Sequence, residues 1–238
     1  MRTFFLTGLI LTFCLFSGCT FAEVSTTINT GPAATSFSAE KIIALPGPRL
    51  KSDVSLEDSL FKRRSIREYS PAPLKLEEVS QLLWSAQGLT SENGGRTAPS
   101  AGALYPLEIY LVSGNVDHLA SGIYKYSPRG HSVIVLSEND IREGLCRAAL
   151  NQSPVKNGAV CIVISAVYER TAQKYGDRGI RYAQMEVGHA AQNICLQATA
   201  LGLGAVTIGA FDDNGVKNLL RMADNETPLY IIPVGRTK

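Results

Sequence analysis

The segment KRRSIREY, residues 62–69, concentrates positive charge in a pattern that could bind an anion. Four of its first six residues are cationic, and a serine hydroxyl lies among them. Arginine presents a planar fork of donors that can bind phosphate through two hydrogen bonds, and serine adds another donor. The alternative is a basic helix end, because cations at a helix C-terminus stabilise its dipole without any ligand. The candidate anion-binding residues are Arg63, Arg64, Ser65 and Arg67.

Two glycine-containing segments are the other candidates for ligand binding. APSAGALYP, residues 98–106, is a run of small residues before a predicted strand, where a flat ligand could approach the backbone. A plain turn would have the same composition. LGLGAVTIGAF, residues 201–211, contains G-x-G, but its glycines follow a predicted helix and precede a predicted strand. A dinucleotide-binding fingerprint has the opposite order, so a Rossmann-type site is excluded.

The charge balance favours a small anionic ligand over nucleic acid. The chain has 238 residues, with 23 Lys and Arg against 21 Asp and Glu, and a formal net charge of +2. Non-specific nucleic-acid binding needs a broad cationic face, which this balance argues against. There is no C-x-x-C motif and no histidine pair with ligand spacing, so the sequence predicts no metal site.

The elements that must position these segments indicate one α+β domain from residue 56 to residue 238. Helical spacing of apolar residues and capping signals predict helices, and β-branched runs predict strands. The predicted helices are 55–63, 74–88, 139–150, 181–204 and 214–222. The predicted strands are 107–114, a hairpin over 122–136, 159–168, 205–211 and 228–235.

The N-terminus predicts export. An apolar run from Phe4 to Phe16 follows Arg2 and is typical of a secretory signal peptide, here residues 1–18. LFSGC resembles a bacterial lipoprotein signal, which implies cleavage before Cys19 and lipidation of that cysteine. Ordinary cleavage after Ala22 is the alternative, and a buried N-terminal helix is a third interpretation. Residues 19–55 are rich in Ser, Thr, Ala, Gly and Pro and predict a flexible tether. We therefore expect a periplasmic or cell-envelope protein, with a lipid anchor if Cys19 is modified.

Six motifs occur in order over residues 60–236: RRSIREY, WSAQGLT, GRTAPSAGALYPLEIYLV, GIYKYSP, LGLGAVTIGAFDD and IIPVGR. Together they resemble the FMN-dependent nitroreductase superfamily. APSAGALYPLEIYLV and GIYKYSP are most similar to its azoline-oxidising, SagB/ThcOx-like dehydrogenase branch. The resemblance implies a nitroreductase-like fold, in which helices flank a central, mainly antiparallel sheet and FMN lies at the interface of a homodimer.

The resemblance also implies which residues bind the cofactor. The basic motif would hold the FMN phosphate, ribityl chain and pyrimidine edge. The small-residue loop would lie along the flavin of the partner subunit, and the glycine segment near residue 204 would approach N5 and O4. A final cation would return to the phosphate. The implied cofactor-binding residues are Arg63, Arg64, Ser65, Arg67, Pro99, Ser100, Ala101, Gly102, Leu104, Gly204, Ala205, Ile208, Gly209 and Arg236.

The chemistry implied by the resemblance is hydride transfer through flavin N5. Arg67 would stabilise negative charge at N1 and O2 of the reduced flavin. Tyr69, Tyr105 and Tyr126 are available as acid or base groups, and a position in the core or at the rim of the site is an equal alternative for each. NAD(P)H is the usual electron donor, but an exported enzyme does not meet the cytoplasmic pool. The substrate would be a small molecule or a modified peptide. The alternatives are a flavin-binding module of the cell envelope without turnover, and an interaction protein whose basic cluster meets anionic lipid.

Overall fold

The computed structural model describes residues 41–238, which contain one seven-stranded sheet. The order across the sheet is β1-β4-β3-β2-β5-β7-β6, and each of these neighbouring pairs is antiparallel. The strands are β1 (Ile42–Ala44), β2 (Leu107–Ser113), β3 (Gly122–Ser127), β4 (Ser132–Ser137), β5 (Val160–Val167), β6 (Leu203–Ala205) and β7 (Glu226–Arg236). The predicted antiparallel α+β architecture is confirmed.

Helices cover both faces of this sheet. The first begins where the sequence predicts, because the Ser55 hydroxyl accepts the Asp58 amide at 3.1 Å and caps it. The helices are α1 (Leu56–Lys62), α2 (Leu76–Gln87), α3 (Arg142–Ala148), α4 (Pro154–Asn157), α5 (Tyr168–Tyr175), α6 (Arg178–Ala200) and α7 (Asp213–Leu219), with a short 3-10 turn at Ala101–Ala103. Helices α4 and α5 were not predicted.

Strand β5 explains how the sheet builds two cores. All eight of its residues are buried. Side chains alternate between the faces of a strand, so Ile162 and Ile164 join a cluster with α2 and α6, while Cys161 and Val163 join one with α3 and α7. A strand that is covered on both faces has an almost continuous run of apolar residues, and residues 159–167 form such a run, interrupted only by Ser165. Burial raises the pKa of the Cys161 thiol to about 12, so this cysteine is a packing residue.

Two predicted boundaries are wrong. The tether was predicted to reach residue 55, but β1 pairs with β4 and Leu45 is buried. Backbone hydrogen bonds make this pairing, and three residues show no periodicity that could predict it. The strand predicted over residues 205–211 is instead β6, which ends at Ala205, followed by an isolated bridge from Ile208 to Ile231. Its apolar alternation reflects burial of a loop and not continued pairing.

The predicted signal peptide, Cys19 and the tether up to residue 40 lie outside the described residues. Within residues 41–238, no helix combines the length and the apolar character needed to cross a bilayer.

Candidate active site

The basic motif forms the end of α1 and a short link to the sheet edge. Arg63 caps α1, and Ser65 then lies beside Ala205 of β6 in a parallel bridge. The Ile66 amide donates to the Ala205 carbonyl at 3.0 Å and fixes the link there. This pairing brings two of the predicted segments together, although 140 positions separate Ser65 from Ala205 in the chain.

The cations of this motif are available for an anion. Arg64 and Arg67 are exposed and Arg63 is half-buried. The ion pairs found within residues 41–238 include none of the three. Arg64 Nη1 donates to the carbonyls of Phe61 and Arg63, at 2.9 and 2.8 Å, which turns its guanidinium back over the helix end. Three guanidinium groups without carboxylate partners, next to the exposed Ser65 hydroxyl, fit a phosphate dianion.

Tyr69 connects the motif to strand β7. Its hydroxyl is 2.9 Å from the Ile66 carbonyl and 3.1 Å from the Pro233 carbonyl, positioned to donate to them. Burial raises its pKa well above the ordinary range of a tyrosine, so Tyr69 stays protonated and is structural. A Cβ on Gly204 would lie 2.6 Å from the Ile66 side chain, and one on Gly235 would lie 2.7 Å from the Tyr69 ring. These glycines allow close packing under the motif.

The glycine segment near residue 204 is only partly accessible. Gly204, Ala205 and Ile208 are buried, while Gly209 is exposed. Sequence reasoning missed Thr207, which is exposed between buried neighbours and could contact a ligand. Of the four residues predicted here, Gly209 alone therefore presents its surface to solvent.

Arg236 lies next to the motif but is already engaged. Its strand partner is Leu203, one residue from Gly204. Its guanidinium donates to both carboxylate oxygens of Glu78, at 2.9 and 3.1 Å, and to the Pro73 carbonyl at 3.1 Å. The structure thus places Arg236 near the predicted phosphate position, with its charge paired to Glu78.

The small-residue loop, residues 99–105, has an unusual backbone. Gly102, Ala103 and Tyr105 have positive φ values of 63°, 54° and 46°. The Ser100 hydroxyl accepts the Tyr105 amide at 2.8 Å and closes the turn. Pro99, Gly102 and Ala103 are exposed and Leu104 is half-buried, so backbone and small side chains face outward, as a flat ligand requires.

Three polar residues beside this loop were missed by sequence reasoning. A Cβ on Gly102 would lie 2.8 Å from the Tyr175 hydroxyl and 3.1 Å from Lys174 Nζ, at the end of α5. Glu186 of α6 is 4% exposed and accepts the Ala101 amide at 2.8 Å. Burial raises the Glu186 pKa, and the Ala101 amide, the Ser100 hydroxyl and His189 offset this only in part. Nothing local in the sequence connects these residues to the loop.

The motif and the loop lie at different turns of α6. Helix α1, which leads into the motif, lines one cleft together with Asn193, Leu196 and Gln197 of α6, so the motif lies near this part of the helix. Burial raises the pKa of the Cys195 thiol in the same stretch, and the Arg63 charge opposes that shift. At about 1.5 Å per residue, Cys195 and Glu186 are about 13 Å apart along the helix axis. One chain therefore carries two separate groups of predicted site residues.

The remaining tyrosine candidates have structural partners. Burial raises the pKa of Tyr126 well above its ordinary range, and its hydroxyl is 2.9 Å from His131 Nδ1. Tyr105 lies with its ring 4.3 Å from the Arg96 guanidinium. The buried, hydrogen-bonded position of Tyr126 does not suit a tyrosine that must exchange a proton with a substrate, whereas Tyr105 is half-buried and stays a candidate.

Comparison with known proteins identifies the family of the chain. The nitroreductase family model matches residues 60–236. The chain is 48% identical over 184 residues to a Methanocaldococcus jannaschii protein whose name places it among the nitroreductases, covering 77% of this chain and 92% of that one. It is 26% identical over 198 residues to the microcin B17-processing protein McbC of Escherichia coli, covering 78% and 72%. A Ralstonia eutropha structure described as a nitroreductase superposes with a TM-score of 0.72 at 26% identity, covering 87% and 93%.

These matches define an oxidoreductase. The chain belongs to the nitroreductase family, and the similarity to McbC supports the predicted SagB-like branch.

Proposed function

We propose that the protein is an exported, FMN-dependent oxidoreductase that acts as a nitroreductase or as a SagB-type dehydrogenase. The observation that carries this proposal is the group of Arg63, Arg64 and Arg67, which enter none of the ion pairs found within residues 41–238, on a chain that also presents a left-handed loop of small residues. The first group suits a phosphate and the second suits a flat ring system.

The residues divide the binding task between them. Arg63, Arg64 and Ser65 would hold the phosphate, and Arg67 would place a positive charge near N1 and O2 of the flavin ring. The backbone of Pro99, Ser100, Ala101 and Gly102 would cover the ring. Bound FMN would supply a hydride acceptor and donor at N5.

Lys174 and Tyr175 place two polar groups that can exchange a proton beside the loop. Dehydrogenation releases a proton and reduction takes one up, so either direction of the reaction needs such a group near the ring. The Tyr175 hydroxyl and Lys174 Nζ are next to Gly102, where the loop would face the flavin. The similarity to McbC, a microcin-processing protein, supports a modified peptide as substrate, with a small nitro compound as the alternative.

A homodimer would complete the site. The resemblance implies that the loop comes from the partner subunit, and in one chain the loop and the basic motif lie at different turns of α6. Helix α1 also carries exposed apolar side chains: Leu56 is 61% exposed, Leu60 52% and Phe61 78%. Burying each such side chain would contribute about 1.5–3 kcal/mol to association. Light scattering that found a fully FMN-loaded monomer would contradict this part of the proposal.

Export determines the electron donor. The apolar run before Cys19 supports secretion, and LFSGC supports a lipid anchor, so the enzyme would work in the periplasm or cell envelope. In the reductase direction an envelope quinol or a membrane partner would then replace NAD(P)H as donor. In the dehydrogenase direction a quinone would take up the electrons from the reduced flavin, or oxygen would do so in an oxidase-like cycle. Cell fractionation that found only cytoplasmic protein would contradict export.

An absorbance spectrum of the purified protein tests the proposal. We expect a bound-flavin spectrum after addition of FMN. Bleaching by anaerobic NADPH would establish a nicotinamide donor, whereas a stable spectrum would direct the search to envelope donors or to dehydrogenation. A tightly held flavin that no donor or substrate reduces would favour the alternative, a non-catalytic flavin-binding module. Absence of flavin binding would contradict both, and liposome binding would then support recognition of lipid by the basic motif.

A further inference from the structure

The left-handed turn of loop 99–105 needs support from outside the loop. Ala103 and Tyr105 carry a Cβ, and for such residues the left-handed region is unfavourable. The loop is also exposed at Pro99, Gly102 and Ala103. A strained and exposed loop keeps one conformation only where neighbouring elements fix it.

The Tyr105 end of the loop is held by two arginines. Arg170 Nη1 of α5 donates to the Tyr105 carbonyl at 3.1 Å. The Arg96 guanidinium lies over the Tyr105 ring, 4.3 Å from its centre. These contacts fix the point where the loop enters β2.

The Ala101 end is held by Glu186. The Glu186 Oε1 atom accepts the Ala101 amide at 2.8 Å, across 85 positions of sequence. Ala101 immediately precedes Gly102, so this bond fixes the start of the left-handed turn. Since Glu186 lies inside the long helix α6, the anchor itself is rigid.

Burial of the Glu186 carboxylate is energetically unfavourable. It is 4% exposed, and its second oxygen, Oε2, is buried without a hydrogen-bond partner within residues 41–238. A buried carboxylate with an unsatisfied oxygen is unfavourable, and its raised pKa reflects this. The compensating gain must therefore come from what Oε1 does for the loop.

We propose that Glu186 is a positioning residue, which holds loop 99–105 in its ligand-presenting conformation by accepting the Ala101 N–H, and that it acts as a hydrogen-bond acceptor and not as a charge. The proposal rests on the proposed function, which gives FMN as the ligand that faces the backbone of this loop. It predicts that glutamine, which keeps an oxygen at the same reach, can replace glutamate, and that leucine cannot.

Hydrogen exchange on the cofactor-free full chain tests the anchor directly. We expect the amides of residues 100–105 to exchange about tenfold faster in Glu186→Leu, the effect of losing one such hydrogen bond. Glu186→Gln should exchange as the wild type does. Val187→Ala is the matched control, because it removes buried bulk from the same turn of α6 and leaves the loop bond intact. Unchanged exchange in Glu186→Leu, or equal acceleration in the Val187→Ala control, would overturn the proposal.

FMN titration followed by flavin fluorescence tests the consequence. The dissociation constant should rise about tenfold in Glu186→Leu and stay within about threefold of wild type in Glu186→Gln. A glutamine variant as weak as the leucine variant would overturn the claim that an acceptor suffices. If the wild-type protein binds no FMN, the proposed function fails, while the exchange experiment still decides the role of Glu186.

Discussion

Glu226 and Glu186 are equally buried, each 4% exposed, yet they have opposite electrostatic surroundings. Glu226, at the start of β7, accepts from Lys125 Nζ at 2.9 Å and from the Tyr110 and Ser165 hydroxyls at 2.8 Å each. Burial raises its pKa, but these donors outweigh burial and the pKa lies below its usual range. Glu186 has a backbone donor for Oε1, and this donor, the Ser100 hydroxyl and His189 offset burial only in part, so its pKa stays raised.

The difference separates a structural carboxylate from one that serves a site. The sheet surrounds Glu226 with donors, so the ionised form stabilises the fold. Helix α6 directs Glu186 at a loop that bends away from the sheet, and its ionised form destabilises the fold. Proteins retain such local costs where a conformation is needed for function.

Removal of the Glu226 carboxylate, which accepts hydrogen bonds at both oxygens, should have the largest effect on stability. Glu226→Leu leaves two buried hydroxyls without their acceptor, while Lys125 keeps its ion pair with Glu108, so we expect the free energy of unfolding to fall by about 2–4 kcal/mol. Glu226→Gln should lose less, since its oxygen remains. Urea denaturation measures both, and a loss under about 1 kcal/mol in Glu226→Leu would remove the contrast with Glu186.

The glycine of the loop should show the next largest effect. Gly102→Ala places a methyl in the left-handed region, where it costs about 1–2 kcal/mol, and brings it within 2.8 Å of the Tyr175 hydroxyl. We expect FMN binding to weaken about tenfold or more. Gly188→Ala on α6 is the control, because nothing lies within 4 Å of its added Cβ. Equal FMN affinity in both variants would argue that the loop does not touch the cofactor.

Replacement of Glu186 by the neutral glutamine should increase stability, whereas substitution of Glu226 should decrease it. Glu186→Gln removes a buried charge, so we expect stability at neutral pH to rise by about 1 kcal/mol. Chemical denaturation at neutral pH measures the change. Destabilisation would show that the Ala101 amide, the Ser100 hydroxyl and His189 stabilise the ionised carboxylate by more than its burial costs.

The pH dependence of stability should separate the two acids. The lowered pKa of Glu226 gives stability that is present above its unfolded pKa of about 4.3 and lost as pH falls through the folded pKa. The raised pKa of Glu186 gives stability that is full below about 4.3 and lost as pH rises through the folded pKa. In denaturation at a series of pH values, the loss of stability in acid should therefore be smaller in Glu226→Gln, although Asp140 and other carboxyl groups with lowered pKa values still contribute to it. The decline of stability above about pH 4.3 should be smaller in Glu186→Gln. Identical profiles in the two variants would contradict the assignment.

An exposed cation of the basic motif should have the smallest effect on folding. Arg67→Ala should change the free energy of unfolding by less than about 0.5 kcal/mol, because the side chain is exposed and in no ion pair found within residues 41–238. FMN affinity and the rate of flavin reduction should both fall. If both stay unchanged, Arg67 does not contact the flavin.

What the sequence determined was local and periodic. The residues of the basic motif are contiguous, so their concentration of charge can be recognised without a structure. The capping residue Ser55 predicts α1, and the spacing of apolar residues predicts α2 and α6. The continuous apolar run of β5 predicts a strand buried on both faces. The ordered motifs then led to the correct family.

What only the tertiary structure decided was which distant polar groups meet. Sheet pairing brings Tyr110 to Glu226 across 116 positions, and the β7 terminus brings Arg236 to Glu78 across 158. The meeting of Glu186 with Ala101, and of Tyr175 with Gly102, depends on how α5 and α6 pack beside the loop. Periodicity predicts which face of an element is buried, but strand register and helix packing decide which side chains touch, and these follow from the whole core.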